Sequence, residues 1–199
     1  MFAILERRTT PQPQPHEPDY ADRELLNKIA AADRDSFDTL YRKYHKRIVN
    51  FAMRSTNRPD LAEEVASDTL FTVWQKAGSF SGKSKVSTWI FGIAYRKSLK
   101  SISRTARRES RTPAGIDDVP EPSVPPSQDA VLHRDHLAAA LGALPIDQRT
   151  AMILAYVNGY KYEEIAVIVG KPVNTIKTRI RAARAKLHSL YGENPEPKG

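Results

Sequence analysis

Residues 162–190, YEEIAVIVGKPVNTIKTRIRAARAKLHSL, are the stretch that decides the fold. A short segment with helical apolar spacing ends at a Gly-Lys-Pro break, and a longer basic segment follows. Apolar residues recur in the longer segment every three or four positions, which marks one face of an amphipathic helix: Val173, Ile176, Ile180, Ala183, Leu187 and Leu190. A helix, a tight turn and a second, basic helix form the arrangement that places the second helix in the DNA major groove.

Other interpretations fit this stretch when it is taken alone. An amphipathic basic helix can be an ordinary surface helix, a membrane-surface helix or a target of a calmodulin-type protein. The membrane interpretation fits poorly, because the apolar face is narrow and carries no Trp or Phe anchor. Short helix-turn-helix patterns are also common by chance, so the rest of the chain has to decide.

Composition narrows the class of protein. The 199 residues suffice for one or two small domains, and the net charge of +8 indicates an anionic partner, foremost nucleic acid. The absence of Cys excludes disulfides and Cys-based zinc sites. The sequence shows no HExxH pair, phosphate loop or nucleophile motif, so we expect neither an enzyme nor a bound cofactor or metal. Because no apolar run is long enough for a signal peptide or a membrane span, we expect a cytoplasmic protein without membrane insertion.

Apolar periodicity predicts an all-α protein made of two small helical domains and a flexible linker. Residues 1–20 are rich in Pro and Gln and are expected to be a disordered tail, followed by a helical domain over residues 21–104. Residues 105–129 have no apolar period and are expected to be the linker, which at about 3.3 Å per residue could reach roughly 80 Å. The helix-turn-helix domain covers residues 130–191, and residues 192–199 form a C-terminal tail.

In the first domain, residues with helical spacing predict an aromatic stripe that belongs to the core: Phe37, Leu40, Tyr41, Tyr44, Ile48, Phe51 and Ala52. Two further features stand apart from this aromatic stripe. Asp60 precedes Glu63 by three residues, which resembles a capping box that opens a helix. Glu63, Glu64 and Asp68 then form an acidic side, either a solvated face or a protein-docking surface. Between Lys76 and Arg111, basic residues interleave with aromatic ones, a pattern that suits single-stranded nucleic acid.

The whole pattern resembles the sigma-two and sigma-four domains of bacterial extracytoplasmic function sigma factors, in the sigma-70 family. Residues 60–102, DLAEEVASDTLFTVWQKAGSFSGKSKVSTWIFGIAYRKSLKSI, are similar to the polymerase-binding and minus-ten-element segment of that family. Residues 141–187, LGALPIDQRTAMILAYVNGYKYEEIAVIVGKPVNTIKTRIRAARAKL, are similar to its minus-thirty-five-element segment. One departure is Lys161, which stands where the family commonly has Ser or Thr, so the helix cap there is weaker or supplied otherwise.

The resemblance implies three sets of site residues. The first set would dock on the β′ clamp helices of core RNA polymerase: Leu61, Glu63, Glu64, Asp68 and Thr69. The second would bind the minus-ten element, with residues 80–86 forming a loop that captures a flipped base: Phe80, Ser81, Gly82, Lys83, Ser84, Lys85, Trp89, Arg96, Lys97 and Lys100. The third would bind the minus-thirty-five element: Lys171, Asn174, Thr175, Lys177, Thr178, Arg179, Arg181 and Arg184.

Within the third set, the resemblance assigns two kinds of contact. Asn174, Lys177, Thr178 and Arg181 would face base edges. Lys171, Arg179 and Arg184, together with the neighbouring Lys186, would meet phosphates. Further partners implied by the family are the β flap of the polymerase and an anti-sigma factor, and the free protein is expected to be a monomer.

We therefore expect a transcription initiation factor that binds core polymerase and reads a two-part promoter. The first alternative is a stand-alone helix-turn-helix regulator, which predicts a dimer interface and a signal-input domain. A second alternative is a decoy that titrates an inhibitor, which would be expected to lose the basic character of its recognition helix.

Overall fold

The computed structural model describes residues 19–109 and 139–191 of the chain, and every long element in them is helical. In the first half, these helices are α1 (Tyr20–Ala30), α2 (Arg34–Thr56), α3 (Ala62–Lys76) and α4 (Val86–Glu109). In the second half they are α5 (Ile146–Met152), which continues as a π-helical turn over Ile153–Val157, α6 (Tyr162–Val169) and α7 (Val173–Tyr191). No β-strand occurs in these two ranges, and the predicted all-α fold class is confirmed.

The ends of the first domain differ from the predicted boundaries. Tyr20 already belongs to α1, although the prediction placed it in the N-terminal tail. Residues 105–109, predicted as linker, continue α4, because this segment contains no Pro or Gly that would end a helix. The remaining residues of the predicted tails and linker, 1–18, 110–138 and 192–199, lie outside the described ranges.

The N-terminus of α2 has a side-chain cap. One carboxylate oxygen of Asp33 accepts hydrogen bonds from the backbone N–H groups of Asp35 and Ser36, at 3.0 and 3.4 Å. The side-chain and backbone hydrogen bonds from Ser36 hold the pKa of Asp33 below its ordinary value. At its other end α2 stops at Asn57, whose φ of 56° is the left-handed conformation that frequently terminates helices.

The prediction that Asp60 caps the third helix is wrong. Pro59–Leu61 form a separate 3₁₀ turn, and α3 begins at Ala62 without a side-chain cap. The carboxylate of Asp60 instead receives two hydrogen bonds from the guanidinium of Arg58, both at 3.0 Å. This pairing lowers the pKa of Asp60 and occupies the carboxylate that the capping box would have required.

The core of the first domain is built on the aromatic stripe of α2, as the sequence predicts. Tyr44, Ile48 and Phe51 are each no more than 1 % exposed. The Tyr44 hydroxyl donates to the buried carboxylate of Asp22 on α1 at 2.5 Å, and the Lys43 ammonium contacts the other oxygen at 2.9 Å. Burial and this negative neighbour raise the pKa of Tyr44, so the hydroxyl stays protonated and keeps α1 against α2.

The two domains share one continuous apolar core. Phe91 of α4 packs edge-on against Phe51 of α2, with ring centroids 5.4 Å apart, and against Tyr160, with centroids 5.3 Å apart. Tyr160 lies between the π-helical turn and α6 and is 0 % exposed. The sequence predicted two domains on a flexible tether, and it did not predict that their cores would merge.

Polar groups also cross the domain boundary. The Arg149 guanidinium of α5 donates to the backbone oxygens of Gly142 and Leu144 at 2.9 and 3.0 Å. It also donates to the backbone carbonyl oxygen of Ser55, on α2, at 3.4 Å. Lys85, before α4, forms an ion pair with Glu164 of α6 at 2.8 Å. Polar contacts therefore join the second domain to the first at two places besides the shared core.

Candidate nucleic-acid interface

The turn between α6 and α7 sets the direction of the basic helix. Gly170 ends α6 with a φ of 65°, a left-handed conformation that favours glycine. Pro172 directly precedes α7, and its carbonyl oxygen accepts from the Thr175 N–H at 2.9 Å. At the start of α6, the Glu164 carboxylate accepts from the Lys161 backbone N–H at 2.9 Å. Glu164 thus supplies a cap where the Lys161 side chain cannot.

Helix α7 presents one buried and one exposed side. Ile176, Ile180, Ala183 and Leu187 of the predicted apolar face are buried. Val173 is half-buried, and the prediction is wrong for Leu190, which is 50% exposed near the end of the helix. Asn174, Lys177, Thr178 and Arg181 are exposed, together with Lys171 in the turn, whereas Thr175 is half-buried. The Thr178 hydroxyl already donates to the Asn174 carbonyl oxygen at 2.9 Å, so as a partner for a base it offers its acceptor lone pairs.

Two of the arginines expected on DNA phosphates have partners within the protein. Arg179 forms a hydrogen-bonded ion pair with Asp147 of α5, and only 17 % of its side chain is exposed. Arg184 places its guanidinium 5.6 Å from the centre of the Tyr156 ring. These two contacts hold α7 against α5 and against the π-helical turn.

The Arg179–Asp147 pair also lies beside α4 of the first domain. Burial raises the pKa of the α4 residue Tyr95, with a further rise from Asp147 that Arg179 opposes. Tyr95 therefore remains a neutral hydroxyl at the place where the recognition helix approaches the first domain.

The 80–86 loop joins α3 to α4 and contains most of the predicted minus-ten residues. Ser81 and Lys83 are exposed, and Phe80 packs on Trp89 with ring centroids 5.4 Å apart. Gly82 has a φ of 72°, and Lys85 is held by Glu164. Along α4, the predicted backbone-binding residues Arg96 and Lys100 are exposed, while Lys97 is half-buried.

Sequence reasoning missed two residues that bind this loop. Asp19 and Arg23 form an i, i+4 ion pair at the start of α1. The Arg23 guanidinium donates to the carbonyl oxygens of Gly82 and Ser84, and the Asp19 carboxylate accepts from the Val86 N–H. The spacing of Asp19 and Arg23 could have suggested their pairing, but nothing local in the sequence points to a loop about sixty residues away.

The acidic side of α3 is exposed, and each of its three acids has a basic partner. Glu63 contacts His45 at 3.1 Å, Asp68 contacts Lys97 at 3.5 Å, and Glu64 pairs with Arg104. The Glu64 hydrogen bond and charge raise the pKa of Arg104. The acids of the predicted polymerase-docking side thus face basic side chains of α2 and α4.

Two of the predicted polymerase-binding residues are not on that surface. Leu61 is 7 % exposed and Thr69 is 0 % exposed, with its hydroxyl donating to the Val65 carbonyl oxygen at 2.6 Å. Conversely, Phe71 is 59 % exposed and follows Asp68 by three residues on α3. This exposed ring extends the acidic side, and it is not among the residues predicted from the sequence.

The described ranges contain neither a metal-binding cluster nor a membrane-spanning helix. Across residues 19–109 and 139–191, no three His, Asp or Glu side chains converge where a metal ion could be held. In the same part of the chain, no helix combines the length and apolarity needed to cross a membrane.

Both halves of the chain match known protein families. The family described as Sigma-70 region 2 matches residues 40–108, and the family described as Sigma-70, region 4 matches residues 134–187. The ECF RNA polymerase sigma factor SigM of Mycobacterium tuberculosis is 30% identical over 175 residues, which cover 86% of this chain and 85% of that protein. The ECF RNA polymerase sigma factor EcfG of Rhodopseudomonas palustris is 36% identical over 150 residues, covering 75% and 82% of the two chains.

Solved structures show the same architecture. The sigma factor RpoE from Bartonella quintana, in a co-crystal structure with the anti-sigma factor NepR, is 29% identical with a TM-score of 0.67. The similarity covers 79% of this chain and 98% of that one. CnrH, in complex with the cytosolic domain of CnrY, has a TM-score of 0.66 at 23% identity, a likeness that concerns the fold alone.

Proposed function

Since the chain belongs to the extracytoplasmic function sigma factors of the sigma-70 family, we propose that it directs core RNA polymerase to a two-part promoter and initiates transcription of a specific set of genes. The observation that carries this proposal is the presence of region 2 and region 4 in one chain, with an exposed polar face on α7. Sigma factors are not enzymes, and the polymerase would perform the nucleotidyl transfer in the cytoplasm.

The second domain would recognise the upstream promoter element, the minus-thirty-five element. Arg181 and Lys177 are exposed on α7, and Arg is suited to the O6 and N7 atoms of guanine. Asn174, at the start of the same face, is suited to adenine. Lys171 would meet a phosphate. Arg179 and Arg184 would chiefly orient the helix, because Asp147 and Tyr156 already engage them.

The first domain would hold the polymerase and the minus-ten element. We assign polymerase docking on the β′ clamp helices to Glu63, Glu64, Asp68 and the exposed ring of Phe71, with Leu61 and Thr69 supporting them from the core. The 80–86 loop and Trp89 would take the minus-ten bases, and Arg96 and Lys100 the adjoining backbone. The second domain would also contact the β flap.

Reading both elements at once requires the two domains to separate. Elements centred about 25 base pairs apart lie roughly 85 Å apart along B-DNA. A compact protein of about 145 residues has a radius of gyration of only roughly 15 Å. The packed arrangement would therefore be the unbound or inhibited form, and the complex of the related RpoE with NepR supports an anti-sigma factor as a partner of this chain.

A run-off transcription assay tests the proposal. The full chain is mixed with purified core polymerase on a library of promoter fragments, and the start sites and enriched elements are sequenced. We expect transcripts only when core polymerase and this chain are both present. Tight and specific binding of the chain alone to a promoter duplex, without transcription, would instead support a stand-alone regulator.

A further inference from the structure

We propose that Asp19 and Arg23 of α1 position the 80–86 loop for its task of receiving an unpaired promoter base. The inference rests on the proposed function of this loop and adds two residues that lie far from it in the sequence. Both would act on the loop backbone without contacting the base, so they are positioning residues.

Arg23 binds the middle of the loop through backbone oxygens. Its Nη2 donates to the carbonyl oxygen of Gly82 at 3.1 Å and to that of Ser84 at 3.0 Å. The same guanidinium lies 5.5 Å from the centre of the Phe80 ring. One side chain thus contacts three alternate residues of the loop, and the two N–H hydrogens of Nη2 can serve both carbonyl oxygens at once.

Asp19 completes the attachment at the end of the loop. Its Oδ1 accepts a hydrogen bond of 2.6 Å from the N–H of Val86, the first residue of α4. The first N–H groups of a helix have no partner inside the helix, so this carboxylate serves as a cap from 67 residues away. Its Oδ2 holds the Nε of Arg23, which fixes the guanidinium beside the loop.

The conformation of Gly82 agrees with this arrangement. Its φ of 72° is strained for any residue with a side chain, and a Cβ atom added there would lie 3.0 Å from Nη1 of Arg23. Glycine at this position therefore lets the backbone turn and lets the guanidinium approach closely. The loop and the Arg23 side chain fit each other as a pair.

A fixed loop has a direct benefit for base capture. A flipped base is read by the walls of a pocket, and such a pocket is selective when its walls are already in place. Residues 80–85 include two Ser and one Gly, so a free loop would have to be ordered at the moment of binding. Because Asp19 and Arg23 already hold the loop, it is ordered in the folded protein before a base binds.

The test compares Arg23→Met with Lys28→Met in the full chain bound to core polymerase. Lys28 is the matched control because it lies on the same helix and forms an i, i+4 ion pair with Glu24 at 2.9 Å. The measured quantity is the affinity for a single-stranded minus-ten oligonucleotide taken from the promoter library, and for the same oligonucleotide with one base changed. Upstream-element duplex and core polymerase serve as ligands that do not contact the loop.

We expect Arg23→Met to weaken binding of the matched oligonucleotide by about tenfold, the equivalent of roughly one charge-assisted hydrogen bond, and to reduce its preference over the changed one. Lys28→Met should leave both quantities unchanged. Arg23→Lys should recover part of the affinity, because an ammonium group can replace one of the two carbonyl contacts. Affinities for the upstream duplex and for core polymerase should stay the same in all variants.

Two outcomes would overturn the inference. One is unchanged base preference in both Arg23→Met and Arg23→Lys. The other is a parallel loss of upstream-duplex and polymerase binding, which would make Arg23 a general stabilising residue. If the unmodified chain itself fails to bind any minus-ten oligonucleotide with core polymerase, the proposed function fails, which is a separate result.

Discussion

Replacing Tyr160 with Ala in the second domain should destabilise the first domain. Tyr160 is 0 % exposed and its ring contacts Phe91, so the substitution leaves a cavity at the junction of the two cores. Substituting a buried aromatic residue with Ala costs about 3–5 kcal/mol, and about 0.5–1.5 kcal/mol of that is specific to an aromatic pair. If the shared core unfolds as one unit, the whole loss appears in any probe of either domain.

Fluorescence offers a probe of one domain alone. Both Trp residues of the chain, Trp74 and Trp89, lie in the first domain, whereas circular dichroism reports helices of both. In urea unfolding we expect the two signals to coincide for the unmodified chain and to shift together in Tyr160→Ala. Tyr20→Ala is the matched control, because Tyr20 is 74% exposed and its loss should cost less than about 0.5 kcal/mol.

A fluorescence transition of Tyr160→Ala that stays at the urea concentration of the unmodified chain, while the dichroism transition splits in two, would refute a shared core. That result would show that the domains unfold independently and that their contact contributes little. Tyr160→Phe separates the ring from its hydroxyl, which lies near Ser87. Since burial raises the pKa of Tyr160, the hydroxyl is neutral, and its removal should cost far less than removal of the ring.

Three further predictions concern the interface and the caps. Arg181→Ala should weaken binding of the upstream element by about 1–3 kcal/mol and relax base preference at one position, which competition binding with substituted duplexes measures. Glu64→Lys should lower the affinity for core polymerase in a titration, while upstream-duplex binding stays intact; loss of both would mean that the acid is structural. The pKa of Asp33 is lower in the folded protein than its unfolded value near 3.8, so the ionised carboxylate stabilises the fold at pH values above 3.8. This stabilisation is lost as the pH falls through the folded pKa. Asp33→Asn keeps the cap but cannot titrate, so between pH 5 and 3 its urea midpoint should fall less than that of the unmodified chain; equal falls would contradict the assignment.

The parts of the fold that depend on local periodicity were predictable from the sequence. Most of the apolar stripe of α7 and of the aromatic stripe of α2 is buried as expected, because a helix must bury the face on which apolar residues recur. Leu190, near the end of α7, is the exception and is exposed. The exposed face of α7 follows from the same reasoning, and so does the acidic side of α3. These features need only the chain within a few turns of each residue.

What the sequence did not reveal depends on contacts between distant segments. Asp60 is an exception, because it has the spacing of a cap but pairs with its near neighbour Arg58 beside the Pro59 turn. The sequence predicts that Arg179, on a basic helix, contacts a DNA phosphate. In the structure it pairs with Asp147, 32 residues earlier. Such pairings depend on how the helices pack, and a one-dimensional pattern carries no information about that packing.

The same limit applies to the domain arrangement. The Pro- and Ser-rich composition of the segment between the domains predicts a linker, but composition alone could not show whether the domains touch. Phe91 is an ordinary apolar position of α4 in the sequence, and only the structure shows that one of its neighbours is Tyr160.

The merged core has a consequence for exchanging domains between related sigma factors. Grafting a foreign second domain onto this first domain, to change the promoter that is read, would place new side chains against Phe91 and next to Lys85. A graft that joins the chains within residues 110–138 and ignores these positions would lose the packing that Tyr160 and Glu164 provide. Chimeras that carry both residues along with the new recognition helix should retain the packed form, and with it whatever control depends on holding the two domains together.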